Sequence, residues 1–510
     1  MPVTDARTLP DASRIEADLI IIGGGIAGLT MAYEFIGTGI RVAVLESGGL
    51  EPDAEIQALY EGPGVMSGPG NPDRMMNDYL GQSRVRALGG SGHVWGGKCG
   101  PLDAADFAVR PWMPLSGWPF GRRELKPFYD RACDRLELPR FPVDDGPPEG
   151  QTLAAVSAAA GPLRASPRAY SRVSGRVDPV AFAAFRDAPG QAPNIHVHTH
   201  VNVTGIRLDA HGAVDRLELR CLTGSRHSAR ARTYVLAAGG IENARLLLAS
   251  NADRPEGVGN TSGWVGRCFQ GHVVITTADN DPRGEAEVVF TTPADLSLYD
   301  NQTRDRPHAV FALDLAAQER LGAGNCTLTL SLRPKPAAPA GSVGAAAEQL
   351  AAAVEHVSPR RLDYFLMSEE APNPESRITL SDQTDALGQP RARLDWRYIE
   401  ADWTSLAASA RGFAAAFGEQ GLGRVCWPIE VDGLLASMGP SRHHMGTTRM
   451  ASDPAQGVVD ADCRLHETPN LYVAGSSVFP TSGLVNPTLT LTALAIRLAD
   501  HLKTSMGNDR

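Results

Sequence analysis

The chain has 510 residues, longer than the size at which a single hydrophobic core usually stops growing, so we expect two interlocked domains. Its formal charge of −10 combines 48 basic with 58 acidic residues and no long basic run, which argues against a nucleic-acid partner. No signal-like segment opens the sequence, and no apolar run reaches the ~20 residues of a membrane-spanning helix. The seven scattered cysteines show no CxxC spacing. Together these features predict a cytoplasmic protein with reduced thiols, no metal site and no membrane partner.

The first elements along the chain predict the start of a doubly wound sheet. A short apolar strand from Ala17 to Ile22 stops at glycines, a helix follows from Ile26 to Ile36, and a second buried strand runs from Arg41 to Leu45. A strand, a tight turn, a helix and a strand in this order are typical of a dinucleotide-binding unit. The fold class is therefore predicted as α/β.

The turn after the first strand carries the pattern GxGxxG at Gly23, Gly25 and Gly28. Gly23 permits the tight turn, Gly25 lets a pyrophosphate approach the N–H groups at the start of the helix, and Gly28 lets the helix pack closely on the strand. Glu46 follows 18 residues after Gly28, where a carboxylate accepts hydrogen bonds from a ribose hydroxyl. No second GxGxxG is present, so we predict one dinucleotide site, and this fingerprint alone does not separate FAD from NAD.

The next part of the chain combines loops with further strands. Residues 50–125 are rich in Gly, Pro and polar side chains, which predicts long functional loops rather than compact structure. Strands are expected at 196–208, 213–222 and 233–238, and a helix is expected at 242–248.

The chain changes character between about 275 and 430. Alternating segments such as Cys326 to Leu332 predict antiparallel strands. The stretch 334–357 predicts an exposed insertion with an alanine-rich surface helix, and a role as a lid or partner contact is the alternative. The C-terminal region returns to the α/β pattern, with a strand at 471–474 and a closing helix at 488–502.

Four further segments accompany the N-terminal turn. They are RVRALGGSG at 84–92, VLAAGGIE at 235–242, HHMGTTRM at 443–450, and VAGSS at 473–477 continuing to NPTLT at 486–490. Together with the turn, they resemble the glucose-methanol-choline (GMC) oxidoreductase family, and they follow the family's order over nearly the whole chain. The resemblance implies FAD as the cofactor. It also implies a Rossmann-like FAD-binding domain interleaved with an antiparallel-sheet substrate-binding domain.

The same resemblance implies how the two domains share the chain. The FAD-binding domain would comprise 14–125, 195–275 and 435–505, and the substrate-binding domain 126–194 and 276–434. Each domain is thus expected to be discontinuous in sequence.

The FAD-binding positions implied by the resemblance lie on all of these motifs. Gly23, Gly25, Gly28 and Glu46 would hold the ADP half, and the backbone of Val201 would meet adenine. The other implied positions are Ile26, Ala27, Ser47, Arg84, Gly89, Gly90, Ser91, Gly92, Trp95, Gly96, Ala238, Gly475, Ser476, Asn486, Pro487 and Thr488. Within that set, the glycine-rich segment is expected against the flavin and pyrophosphate, the VAGSS segment against the diphosphate, and the start of the last helix against the isoalloxazine edge.

One position departs from part of the family. Members with covalently attached flavin carry a histidine at the sixth position of a GGxxxH stretch, and here that position is Val94. Because valine cannot form the bond, we predict non-covalent FAD, with the neighbouring His93 as the alternative attachment point.

The predicted chemistry is the oxidation of a carbinol, which needs a base for the hydroxyl proton and an acceptor for the hydride. An imidazole suits the base because its charge changes near neutrality. The family's H-x-x-G-T spacing implies His443, with the adjacent His444, which would face the other way in extended backbone, as the alternative. The family's second His or Asn corresponds to Asn486, whose amide would orient the substrate oxygen; the alternative is that this Asn only begins a turn before Pro487.

Several segments favour a carbohydrate-like substrate. The stretches VWGG at 94–97 and GWP at 117–119, the His443-His444 doublet and the His/Asn pair look closer to sugar-oxidising members (pyranose oxidase, glycoside 3-oxidases, aminoglycoside alcohol dehydrogenases) than to choline or aryl-alcohol enzymes. We therefore expect oxidation of a sugar, glycoside or aminosugar alcohol to the carbonyl by hydride transfer to FAD. A lyase on the same fold and a dehydrogenase of a non-sugar alcohol are the main alternatives, and oxygen and an external acceptor both stay open as the final oxidant.

Overall fold

The computed structural model describes residues 2–69, 71–141, 162–165, 169–170, 192–276, 285–289, 310–332, 360–427 and 439–508. Its α-helices are α1 (Ile26–Glu34), α2 (Ala54–Gln57), α3 (Tyr79–Gln82), α4 (Ala104–Phe107), α5 (Arg122–Arg135), α6 (Gly240–Ala249), α7 (Leu315–Leu321), α8 (Glu400–Glu419) and α9 (Thr488–Asn508). Its strands are β1 (Val3–Asp5), β2 (Arg14–Glu16), β3 (Leu19–Ile22), β4 (Val42–Leu45), β5 (Gly64–Gly68), β6 (Asn71–Met75), β7 (Lys98–Cys99), β8 (Leu163–Ala165), β9 (Ala169–Tyr170), β10 (Ile195–Thr199), β11 (Asn202–Leu208), β12 (Val214–Arg220), β13 (Arg226–Arg230), β14 (Thr233–Leu236), β15 (His272–Thr276), β16 (Glu285–Val289), β17 (Val310–Leu313), β18 (Cys326–Leu332), β19 (Arg360–Glu369), β20 (Arg377–Thr384), β21 (Pro390–Arg397), β22 (Arg424–Cys426), β23 (Gly439–Pro440) and β24 (Leu471–Val473).

A parallel sheet of six strands, in the order β1-β10-β4-β3-β14-β24, supports the dinucleotide turn. β3, β4 and β14 are buried along their whole length, as expected for short apolar strands covered on both faces. Ile22 pairs in register with Leu45 on one side and Leu236 on the other. The carboxyl ends of these strands therefore meet at one edge, where doubly wound sheets bind their ligands.

Antiparallel pairing dominates the second large sheet. Its strands follow the order β22-β16-β19-β18-β17-β8. β15 pairs with β19, and β23 pairs with β15. Smaller sheets comprise β11-β12-β13-β2, β20-β21-β5-β6 and β7-β9. A parallel sheet together with a separate, large antiparallel sheet confirms the predicted fold class.

The expectation of long loops over 50–125 is wrong in part. β5 and β6 pair with each other, and β5 also pairs in parallel with β21, where Gly64 lies opposite Leu394. Glycine and proline in and around these segments conceal a strand from local pattern reading, because the pairing partner lies far along the chain. The expected surface helix at 344–354 lies outside the described residues.

The described residues also show the state of the thiols and the character of the helices. Cys99, Cys133, Cys221, Cys268 and Cys463 are buried and free, as is Cys326. Across the described ranges, no helix combines the length and the apolar character needed to cross a membrane. The same part of the chain holds no cluster of three or more His, Cys, Asp or Glu side chains suited to a metal ion.

Candidate active site

A cavity of about 420 Å³ follows the carboxyl edge of the parallel sheet. The turn at Gly23 and Gly25 and the side chain of Glu46 line one part of it, while His443 and Asn486 line another. The predicted dinucleotide turn and the predicted catalytic pair thus open into one continuous space.

The glycine turn combines tight packing on one side with open space on the other. Gly23 has a φ of +107°, and a Cβ at Gly28 would lie 2.0 Å from the Gly23 carbonyl oxygen. A Cβ at Gly25 would instead meet only the Gly90 Cα, at 4.0 Å. Gly25 is also the N-cap of α1, and no side chain caps the first N–H groups of that helix. This open helix start can receive a pyrophosphate.

The carboxylate of Glu46 is held rigidly beside the turn. Its Oε2 accepts the Gly24 N–H at 2.8 Å, and its Oε1 accepts the Gly48 N–H at 2.8 Å. The Ser47 hydroxyl is also 3.2 Å from Oε1. Each oxygen keeps further lone-pair capacity on the cavity side, so the group can accept ribose hydroxyls.

Most of the sequence-predicted positions line the cavity. Those that do are Gly23, Gly25, Ile26, Ala27, Glu46, Ser47, Arg84, Gly90, Ser91, Trp95, Gly96, Val201, Ala238, His443, Gly475, Ser476, Asn486, Pro487 and Thr488. Gly28, Gly89 and Gly92 do not line it. Gly89 supports the turn, because its N–H donates to the Gly24 carbonyl at 2.8 Å.

Val201 lines the cavity between β10 and β11. Its backbone N–H donates to the Glu46 carbonyl at 3.0 Å. An adenine base placed here would therefore receive no hydrogen bond from this N–H group unless the contact with Glu46 were broken.

A buried ionic cluster that the sequence reasoning missed lies along the same cavity. Glu242 contacts Arg84 at 3.0 Å, Arg86 at 2.8 Å and Arg245 at 3.2 Å. Burial alone would raise the pKa of Glu242, but the three guanidinium groups outweigh it and lower the pKa to about 2. Arg245 also contacts Asp385 at 2.6 Å. The motifs RVRALGG and VLAAGGIE contain three of these residues, but their contact could not be inferred from spacing.

The predicted catalytic pair is in direct contact. Nε2 of His443 and Nδ2 of Asn486 are 3.0 Å apart. On its other side, Nδ1 of His443 lies 2.8 Å from Nδ1 of His272, and Nε2 of His272 lies 3.0 Å from the Gly483 carbonyl oxygen. Burial lowers the pKa of His443 to about 3, so its imidazole is neutral at neutral pH and one ring nitrogen presents a lone pair.

His444 is engaged in a different direction. The Tyr79 hydroxyl donates to the Ser441 carbonyl at 2.5 Å, so its oxygen accepts from Nε2 of His444 at 3.1 Å. Burial, with help from nearby cations, holds the pKa of His444 well below its usual value. Although His444 also borders the cavity, this nitrogen is committed to Tyr79.

Strand pairing explains why His272 accompanies His443. Gln270 and Met445 exchange both backbone hydrogen bonds, each at 3.0 Å, as an antiparallel bridge. Because the pairing is antiparallel, His272, two residues after Gln270, lies opposite His443, two residues before Met445. The sequence reasoning missed His272, because the register of this bridge is a tertiary feature with no local signal.

Three neighbouring residues at the end of the glycine-rich motif have different surroundings. His93 donates from Nε2 to the Leu88 carbonyl at 2.8 Å, whereas Val94 and Trp95 line the cavity. Val94 is 56% exposed, which leaves its side chain on the open face where a ligand would sit.

These features fit FAD. The open helix start suits its pyrophosphate, the Glu46 carboxylate suits its ribose, and Gly475, with a φ of +119°, brings backbone close to the cavity where a side chain would intrude. The N-terminal end of α9, beginning at Thr488, closes the far part of the cavity next to Asn486.

Comparison with known proteins agrees with this geometry. A family model described as GMC oxidoreductase matches residues 372–495, and one described as FAD binding domain matches residues 18–87. Paromamine 6'-oxidase from Streptomyces fradiae is 27% identical over 94% of this chain and 90% of its own length. 2-Methyl-1,2-propanediol dehydrogenase from Mycolicibacterium austroafricanum is 25% identical over 96% of this chain and 95% of its own length.

A solved structure shows the same fold. Formate oxidase superposes with a TM-score of 0.61 at 17% sequence identity, covering 98% of this chain and 100% of the other. The motifs, the fold, the cavity and the family matches confirm FAD as the cofactor and an alcohol oxidoreductase as the class of enzyme. By its motifs, its fold and these matches, the chain is similar to the glucose-methanol-choline (GMC) oxidoreductases over nearly its whole length.

Proposed function

We propose that this enzyme oxidises an alcohol group of a sugar-like substrate to the carbonyl, with His443 as the base and Asn486 as the group that orients the substrate oxygen. The observation that carries the proposal is the 3.0 Å contact between these two side chains inside the cavity that begins at the dinucleotide turn. Both polar atoms therefore converge on one point beside the cofactor region.

When bound, FAD supplies a hydride acceptor at flavin N5. The open start of α1 at Gly25 would hold its pyrophosphate, Glu46 its ribose, and the Pro487–Thr488 end of α9 would contact the isoalloxazine edge. The FAD-binding domain would comprise the parallel sheet and the helices around it, and the larger antiparallel sheet would belong to the substrate-binding domain.

His443 and Asn486 divide the work on the substrate hydroxyl. In the structure, the Asn486 amide N–H donates to Nε2 of His443. An entering hydroxyl takes the place of that contact: its O–H donates to Nε2 of His443, and the amide N–H donates to its oxygen. Nε2 of His443 would then take the hydroxyl proton while bound FAD would supply the hydride acceptor, so that the alcohol becomes the carbonyl product.

The contacts of His444 support His443 as the base. Nε2 of His444 donates to the Tyr79 hydroxyl, so this nitrogen cannot accept a proton from a substrate without breaking the Tyr79 contact. His444 would instead help to hold the backbone that carries His443.

Non-covalent attachment of FAD is part of the proposal. Val94, which cannot bond to the flavin, lines the cavity, while the only nearby histidine in the glycine-rich segment, His93, donates to the Leu88 carbonyl. Reorienting His93 toward a flavin would break that hydrogen bond.

The substrate class rests on the sugar-type motifs and on one relative. Paromamine 6'-oxidase, similar over nearly the whole chain, is named for oxidation of paromamine, which supports a sugar or aminosugar alcohol. A second candidate is a small non-sugar alcohol, which the equally extensive similarity to 2-methyl-1,2-propanediol dehydrogenase favours.

Anaerobic stopped-flow reduction of the bound flavin tests both the substrate class and the base. We expect bleaching by members of a panel of sugars, glycosides and aminosugars, with 2-methyl-1,2-propanediol as the non-sugar comparison. His443→Ala should retain FAD but slow reduction by ~10²–10⁴-fold, the range for one general base. Asn486→Ala should lose less, and His444→Ala, the matched control, least.

The contrary outcomes are distinct. If His444→Ala reduced its flavin very slowly while His443→Ala kept the wild-type rate, the base would be His444 instead of His443. FAD that no alcohol bleaches would favour a lyase on the same fold.

A further inference from the structure

A second histidine stands directly behind the proposed base. His272, at the start of β15, is fully buried, and its ring meets the ring of His443 edge-on, with centroids 4.9 Å apart. It does not line the cavity, so it has no direct access to a substrate there. Its Nδ1 lies 2.8 Å from Nδ1 of His443, and this contact joins two atoms that can each be a donor or an acceptor.

The partner on the other side of His272 determines the direction of this hydrogen bond. Nε2 of His272 lies 3.0 Å from the carbonyl oxygen of Gly483, which can only accept. Nε2 of His272 therefore carries a hydrogen, and Nδ1 of a neutral His272 presents a lone pair. His443 must then donate from Nδ1, which leaves its Nε2 with the lone pair that a base requires.

The contacts of His443 give the same direction independently. The Asn486 amide N–H donates to Nε2 of His443, so this nitrogen carries no hydrogen and a neutral His443 carries its hydrogen on Nδ1. That Nδ1–H faces Nδ1 of His272 at 2.8 Å and needs an acceptor there. A cationic His272, with donors at both ring nitrogens, would oppose it with a second donor.

The backbone fixes the three groups in place. The Ser441 hydroxyl accepts the backbone N–H of His272 at 2.8 Å and that of His443 at 3.4 Å. Gly483 has a φ of +64°, and a Cβ there would lie 2.3 Å from Leu102. Its N–H donates to Glu369 at 3.2 Å, which helps to hold the peptide whose carbonyl faces His272.

We propose that His272 is a positioning residue that holds His443 in the Nδ1–H tautomer, with the Gly483 carbonyl setting the direction of the pair. The inference rests on the proposed role of His443 as the base. When His443 takes the substrate proton at Nε2, its Nδ1–H becomes a charge-assisted donor to His272, so the same contact stabilises the imidazolium that forms. No atom of His272 needs to reach the substrate.

Two amide substitutions at His272 separate its role as hydrogen-bond acceptor for His443 from its hydrogen bond to the Gly483 carbonyl. Asparagine at 272 offers an oxygen near the position of the imidazole Nδ1 but gives up the Gly483 contact. Glutamine offers an N–H near the position of Nε2 but gives up the acceptor. We expect His272→Asn to reduce its flavin within ~10-fold of the wild-type rate. His272→Gln and His272→Leu should slow by ~10²-fold, the lower end of the range for a general base.

The loss should fall on the limiting rate of flavin reduction and leave the substrate concentration for half-saturation and the flavin absorption spectrum unchanged. A residue that acted only by packing would show the opposite order, with glutamine tolerated and asparagine impaired. His227→Leu, which removes a buried histidine on β13 outside the cavity, serves as the control and should reduce at the wild-type rate.

Histidine-labelled ¹⁵N NMR reads the tautomer without turnover. In the wild-type holoenzyme, the resonances that disappear in His443→Asn should show a protonated Nδ1 and an unprotonated Nε2. An Nε2–H pattern for His443 in the wild type would overturn the inference, as would a wild-type rate in His272→Leu. If His443→Ala kept the wild-type rate, the proposed function itself would fail, which is a separate outcome.

Discussion

Alanine substitutions at Gly25 and Gly28 should separate FAD binding from folding. The two positions lie three residues apart on the same turn and helix, yet their surroundings differ. A Cβ at Gly25 has only the Gly90 Cα within reach, at 4.0 Å, whereas a Cβ at Gly28 would lie 2.0 Å from the Gly23 carbonyl oxygen. Gly25 also has extended backbone, with φ −79° and ψ −172°, which alanine adopts without strain.

The expected magnitudes follow from these contacts. In the FAD-free protein, Gly25→Ala should leave the free energy of unfolding unchanged or raise it by about 0.4–1 kcal/mol, because alanine restricts the unfolded chain. Its methyl group would stand in the space assigned to the pyrophosphate, so the Kd for FAD should rise by at least ~10-fold, or about 1.4 kcal/mol. Gly28→Ala should lose about 1–3 kcal/mol of stability even without FAD, because a backbone oxygen must move.

Urea denaturation of the FAD-free proteins, followed by titration with FAD and detection of flavin fluorescence, measures both quantities. Gly418→Ala is the matched control, because no atom lies within 4 Å of its added Cβ and it lies in α8. Wild-type FAD affinity in Gly25→Ala would refute the assignment of this turn to the pyrophosphate. Wild-type stability in FAD-free Gly28→Ala would refute the packing argument.

Three further predictions concern the cofactor linkage and two buried carboxyl groups. Acid precipitation should release FAD into the supernatant, because Val94 lines the cavity and His93 donates to a backbone carbonyl; flavin in the pellet would contradict this. Burial, with Asp402 adding to it, raises the pKa of Glu370 from 4.5 to about 8. Between these two pH values the folded state retains a proton that the unfolded state loses, so stability should fall as the pH rises from 4.5 to 8. Glu370→Gln should remove that component of the pH dependence in thermal melts. Glu369→Gln should destabilise the protein by about 3–5 kcal/mol in urea denaturation, because it leaves the buried guanidinium of Arg110 uncompensated, and a loss below 1 kcal/mol would refute that reasoning.

Local sequence information was sufficient for the dinucleotide-binding unit. Residues 19–22 and 42–45 are continuous apolar runs, and such runs become buried parallel strands because both faces of the sheet are covered. The glycines between them follow from the steric demands of one turn, which involves neighbours in the chain. His443 and Asn486 were found through family motifs, and the structure brings the two side chains together.

The region 50–125 shows where local pattern reading stops. β5 gains its strand character from pairing with β21, and nothing within β5 itself identifies that partner. Likewise, the contacts of Glu242 with three arginines join two motifs whose sequence separation carries no information about distance. Such contacts depend on how the finished sheets and loops pack.

The amino-acid sequence by itself determined the resemblance to the GMC oxidoreductases, the cofactor, the α/β class and the chemical identity of the residues around the cavity, because contiguous motifs and apolar periodicity carry this information. Only the tertiary structure decided which nitrogen of His443 faces the cavity, that His444 is committed to Tyr79, and that His272 stands behind the proposed base. The physical reason is that hydrogen-bond direction depends on partners brought together by strand register, and here the register is set by the pairing of Gln270 with Met445, residues far apart along the chain.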